Sequence, residues 1–86
     1  MERFEDRPVA NAVIHARLDA RGLVCPQPLL RTRKMLDLLE QGQRLEVLAD
    51  DPVAPLDFAA FSHKTGHPLL ENETDSGFFR FVIEHK

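Results

Sequence analysis

Two prolines, Pro26 and Pro28, follow the chain's only cysteine, Cys25, with a single residue, Gln27, between them. Each proline fixes its own φ and lacks an N–H. Each also pushes the residue before it, Cys25 or Gln27, away from helical angles. The backbone is therefore stiff at this corner, and it separates one element from the next. Only the Gln27 and Leu29 amides remain as donors near the sulfur, so rigid presentation of the thiol comes first and anion stabilisation second.

The hydrophobic period changes on either side of that corner. Residues 13–19 alternate, with Ile14, Ala16 and Leu18 on one face and His15 and Arg17 on the other, which predicts a strand. Residues 19–25 form a loop, in which Gly22 is free to take a positive φ. From residue 28 to 40 the pattern is helical: Leu29, Thr32, Met35, Leu36 and Leu39 make one stripe, and Gly42 marks a stop. Residues 44–49 alternate again as a second strand. Residues 50–66 predict a second helix, with Asp50 or Asp51 as cap, Pro52 in the first turn and Gly66 at the end. Pro55, near that first turn, removes at most one backbone bond. A short strand over 67–73, a turn over 75–77 and a strand over 78–84 complete the chain. Phe58, Phe61, Phe79 and Phe81 are core candidates.

The order β-α-β-α-β-β predicts an α+β fold. It is a two-layer α/β sandwich, a mixed four-stranded sheet with two helices on one face. Residues 1–12 are polar and read as a flexible N-terminal leader, with residues 13–86 as a single domain. Eighty-six residues, 43% of them apolar, support one small core. Fourteen acids against eleven bases leave a net charge of −3, which argues against a dedicated nucleic-acid binder. No apolar run is long enough to span a membrane, and the first residues lack the order of a signal peptide. The expected compartment is the cytoplasm, where a free thiol stays reduced. One cysteine cannot form an intramolecular disulfide, and no metal cluster is visible.

Cys25 arrives just before a helix N-terminus, where the partial positive charge favours a thiolate. That help is modest. The competing reading is a buried structural cysteine, but proline-flanked loops ahead of helices are surface features. Asp51 follows the second strand as Cys25 follows the first, so both fall at the same edge of a parallel pair.

The segments Leu18-Asp19-Ala20, Gly22-Leu23 and Cys25-Pro26-Gln27-Pro28, with Asp50-Asp51-Pro52 further on, resemble the TusA (SirA-like) family of small sulfur carriers. The resemblance runs from about residue 18 to 86. It implies the same two-layer sandwich, and a cysteine that accepts sulfane sulfur, holds it as a persulfide and passes it on. By that carry-over Cys25 is the persulfide site, and Gly22, Pro26 and Pro28 shape its loop. The donor is a cysteine desulfurase or another sulfur donor, and the receiver is a downstream sulfur-acceptor protein. Outlets in the family include tRNA 2-thiouridine, sulfur oxidation, molybdenum cofactor supply and selenium metabolism. No cofactor is implied, and a monomer is expected. Two departures stand out. Ser62 follows Phe61 where several relatives carry a second cysteine, and Gln27 stands where Glu is frequent. Losing that charge slightly favours thiolate.

Gln27, Leu30, Arg31 and Asp51 are candidate docking residues. Leu30 lies off the buried stripe, either as a partner contact or as a site covered by the leader. Arg31, Arg33 and Lys34 make a basic group that is either a solvated face or a dock for acidic partners; direct RNA contact is disfavoured. His15, His63, His67 and His85 show no ligand spacing. Two rival functions remain: a thiol peroxidase or reductase, which needs a resolving thiol or an external one and a cation near the sulfur, and a regulatory or RNA-binding module in which Cys25 is incidental.

Overall fold

The computed structural model describes residues 13–86; the expected leader, residues 1–12, lies outside them. Strand β1 (Ala16–Asp19) is shorter than the alternation over 13–19 predicts. The reason lies at its start. His15 donates its N–H to the Arg44 carbonyl at 2.9 Å, but the Arg44 N–H goes to the His15 ring Nδ1 at 3.0 Å instead of to a backbone carbonyl. That stops the ladder from extending backwards.

Helix α1 (Gln27–Asp37) begins one residue before Pro28 and ends three before Glu40. Its end tightens: the Leu38 and Leu39 amides bond to the Met35 and Leu36 carbonyls, three residues back. Thr32 and Leu36 are fully buried, and Leu29, Met35 and Leu39 pack beside them. The Thr32 hydroxyl is satisfied inside this apolar layer by donating to the Pro28 carbonyl at 2.8 Å.

Strand β2 (Arg44–Ala49) falls where its alternation places it, with Leu45, Val47 and Ala49 fully buried. Helix α2 (Ala54–Thr65) starts later than expected. Val53 occupies its N-cap, no side chain caps it, and Pro55 rather than Pro52 sits in its first turn. The two aspartates expected as caps are engaged elsewhere. Gly66 ends the helix in the left-handed region, φ 85°, as its position suggests. Strands β3 (Leu69–Asp75) and β4 (Phe78–Glu84) meet at a tight turn, and β3 runs two residues beyond its expected end because Thr74 and Asp75 pair with Phe79 and Phe78.

The sheet order is β1-β2-β4-β3. β1 and β2 are parallel, and β4 lies antiparallel to both β2 and β3. The fold is thus the expected two-layer sandwich with a mixed sheet. Leu45 pairs with Ile83 and Val47 with Phe81, so their side chains share the face that both helices cover. At the centre, Phe58 of α2 stacks on Phe81 of β4, ring centroids 4.3 Å apart and planes within 4°. Both are fully buried.

The opposite face carries charge. Glu46 accepts from Arg17 at 3.0 Å and from Arg80 at 2.6 Å, and Arg80 also pairs with Glu71. Arg80 is thereby held between β2 and β3 across its own strand.

Phe58→Ala removes the ring that joins helix layer to sheet. We expect a loss of about 3–5 kcal/mol, most of the stability of a domain this small. Urea denaturation followed by circular dichroism measures it; a loss under about 1 kcal/mol contradicts the central role given to the stack.

Candidate functional site

Two loops build the site, one after β1 and one after β2. Because these strands are parallel, both loops leave the sheet at the same end. In the first, Asp19 accepts from the Arg21 amide at 3.1 Å and from its guanidinium at 2.9 Å. These bonds hold the Asp19 carboxyl down to about 2. Arg21 in turn lies over the Phe78 ring, 5.0 Å from its centroid. Next, Gly22 turns the chain with φ 86°. Space around it is open, so the positive φ rather than crowding is what calls for glycine. Its N–H is taken by both oxygens of Asp50, at 3.0 and 3.1 Å.

Asp51 makes the second tie. One of its oxygens accepts the Cys25 N–H at 2.6 Å, and the other accepts the Val53 N–H at 3.1 Å. So the expectation that Asp51 borders Cys25 describes the geometry, whereas the expectation that it caps α2 through its side chain does not. The Cys25–Pro26 peptide is cis, and the Gln27 N–H closes the turn on the Val24 carbonyl at 2.9 Å. That amide is spent on backbone and offers nothing to the sulfur.

Cys25 is free and exposed. Its Sγ donates to Asp57 Oδ2 of α2 at 3.2 Å. A helix N-terminus alone favours the thiolate, but the structure sets a full carboxylate against the sulfur. The hydrogen bond to Asp57 pushes the thiol pKa up, with desolvation and the charges of Asp57 and Asp51 acting the same way. Asp57 was missed because it reads as an ordinary first-turn acid of α2. The usable signal was its place on the helix that starts at the same sheet edge as Cys25.

Exposed apolar residues adjoin, in sequence, the residues that hold the sulfur. Val24 precedes Cys25, Val53 is drawn in by the shared Asp51 carboxylate, and Leu56 precedes Asp57. This grouping was also missed, since the three are far apart in sequence or off any periodic stripe. Of the docking candidates, Gln27, Leu30 and Arg31 line one shallow depression of about 410 Å³ together with Arg33, Lys34 and Asp37. Leu30 is exposed there. A second cleft, about 510 Å³, opens between the helices; Leu29, Arg33, Asp57, Ala60 and Lys64 are among its walls. At the other end of the sheet His15 accepts the Arg44 amide, and, separately, His67 lies beside His85, ring centroids 5.0 Å apart. Among the described residues no group of three or more His, Cys, Asp or Glu could hold a metal ion, and no helix is long and apolar enough to cross a membrane.

A two-layer sandwich with a lone exposed thiol between its first strand and first helix defines a class of small thiol-bearing domains. The particular family follows from comparison. The profile described as "Sulfurtransferase TusA" matches residues 16–85, and the chain belongs to that family. It is 46% identical over 67 residues to the sulfur carrier protein TusA of Allochromatium vinosum, covering 78% of this chain and 88% of that protein. A Neisseria meningitidis serogroup A protein, provisionally named a sulfur carrier protein, is 49% identical over 69 residues, 80% of this chain and 93% of the relative. The crystal structure of a SirA-like protein from Desulfitobacterium hafniense matches with a TM-score of 0.71 at 31% identity, over 80% of this chain and 95% of that one.

If Asp51 ties the two loops together, Asp51→Ala frees both amides it holds. Hydrogen exchange read by NMR should show the Cys25 and Val53 amides exchanging at least tenfold faster, while the sheet amides keep their protection. Unchanged exchange at Cys25 refutes the tie.

Proposed function

We propose that this TusA-family chain is a sulfur carrier that holds sulfane sulfur as a persulfide on Cys25 and relays it between proteins. The observation that carries the reading is the exposed, free Cys25 thiol on a loop fixed by Pro26, Pro28 and the Asp51 carboxylate. A carrier thiol must be reached by a donor and then by an acceptor, so it has to stand clear of the core while its backbone stays put. With one cysteine in the chain, no neighbouring thiol expels the sulfur before transfer.

Loading is a thiol–persulfide exchange. The Cys25 sulfur bonds to the outer sulfur of a donor persulfide, the donor's S–S bond breaks, and the donor leaves as a thiol carrying the proton that Cys25 gives up. The transferred atom remains sulfane sulfur, so no external oxidant or reductant enters. The donor class is a cysteine desulfurase or another persulfide-bearing protein, and the receiver is a sulfur-acceptor protein. We take tRNA 2-thiouridine modification as the outlet, with the cytoplasm as compartment and a monomer as the working unit. The apolar Val24, Val53 and Leu56 and the depression around Gln27, Leu30 and Arg31 are the surfaces that partners would meet. The sulfur's own hydrogen-bond partner, a carboxylate, is the opposite of the cation that a peroxidatic thiol uses. That partner supports the carrier reading over the thiol peroxidase or reductase reading.

Incubation with a cysteine desulfurase and cysteine should add the mass of one sulfur atom to the intact protein. The gain should vanish in Cys25→Ala and reverse on addition of a reducing thiol. No added mass under these conditions refutes the carrier reading. Deleting the gene should lower 2-thiouridine in tRNA hydrolysates, and an unchanged nucleoside profile moves the outlet elsewhere.

A further inference from the structure

We propose that Asp57 is a positioning residue that distinguishes the empty carrier from the loaded one: its carboxylate clasps the Sγ–H of unloaded Cys25 and must release it once Sγ bears a second sulfur. The inference rests on the persulfide reading above and adds a residue to it. The contact that carries it is the 3.2 Å bond from Sγ to Asp57 Oδ2. That bond needs a proton on Sγ. In a persulfide the inner sulfur is bonded to Cβ and to the outer sulfur and carries no proton, so loading removes the donor. The outer sulfur ionises more readily than a thiol, and its negative charge then lies close to the Asp57 carboxylate. Like charges at short range disfavour each other.

Asp57 therefore acts with one sign in both states. It favours the protonated, unreactive sulfur when the carrier is empty, and it disfavours the charged, loaded form. Other charged groups bear on the same place. Asp51 from the loop before α2 acts in the same direction as Asp57. Arg33 of α1 and Lys64 of α2 share the interhelical cleft with Asp57, placing cations within the same hollow. Once freed from sulfur, the Asp57 carboxylate has these cations to turn toward. A carrier built this way takes up sulfur reluctantly and gives it up readily, as a relay between a strong donor and a demanding acceptor requires.

The test places the wild type and ¹⁵N-labelled Asp57→Asn in one solution with glutathione persulfide as a common sulfur source, and reads each loaded fraction by intact mass. At equilibrium Asp57→Asn should hold a several-fold higher ratio of loaded to empty protein. Asp57→Glu should return toward wild type. Equal ratios, or a higher ratio in wild type, overturn the proposal. A second arm uses the wild type alone. The Cys25 ¹³Cβ shift, followed against pH, should titrate above the ordinary midpoint of a free thiol, and the Asp57 side-chain carboxyl shift should move on loading with persulfide. A Cys25 midpoint at or below the ordinary value, or an Asp57 signal indifferent to loading, overturns it equally, and neither result depends on the variant folding. Failure of the desulfurase to load Cys25 tells against the carrier function instead, because glutathione persulfide loads an accessible thiol without any protein partner.

Discussion

The Asp51 carboxylate is the contact on which the site depends. It receives the amide of Cys25 with one oxygen and the amide of Val53 with the other. Those amides belong to loops that are far apart in sequence but leave the sheet side by side. A carboxylate that binds two backbone N–H groups fixes position without claiming any side chain, so the residues on either loop stay free to face outward. The prolines stiffen the same corner from within the chain, and Asp50 secures Gly22 just upstream. A thiol on so exposed a loop is thus held by three independent means, none of which covers it.

Much of this was legible in the sequence. Strict alternation of Leu45, Val47 and Ala49 placed β2 correctly because a strand buried on one face leaves no other assignment for that pattern. Phe58 and Phe61, three residues apart, marked the buried side of α2, and Gly66 its end. What escaped has a common cause. The short β1 and the unexpected cap at Val53 were both decided by where single side chains spend their hydrogen bonds. His15 takes an amide from the ladder, and Asp51 spends its carboxylate on the Cys25 and Val53 amides instead of capping the first turn of α2. Such choices are tertiary, and a one-dimensional pattern does not contain them.

The character of the sulfur shows the same limit. Position before a helix suggested a thiolate-favouring site, because an unpartnered helix end is partly positive. A whole carboxylate in hydrogen-bond contact outweighs a fraction of a charge spread over a turn, and so the balance reverses. Cys25 is exposed, yet its neighbours push the thiol pKa up. Accessibility and reactivity, which a sequence reading tends to merge, are set here by different residues: the prolines and Asp51 for the first, Asp57 for the second.

The strand order carries a consequence for how the molecule comes into being. β4 comes after the other described elements in chain order, yet it lies inside the sheet, wedged between β2 and β3, and contributes Phe81 and Ile83 to the core. While the ribosome still holds those residues, β2 has no neighbour on one side and the Phe58 ring has nothing to lie upon. The earlier segments can curl into helices and a parallel pair, but the interior cannot seal. Completion of the functional surface therefore waits until residues 78–84 have been made, and a chain cut short before them loses its middle, not its margin.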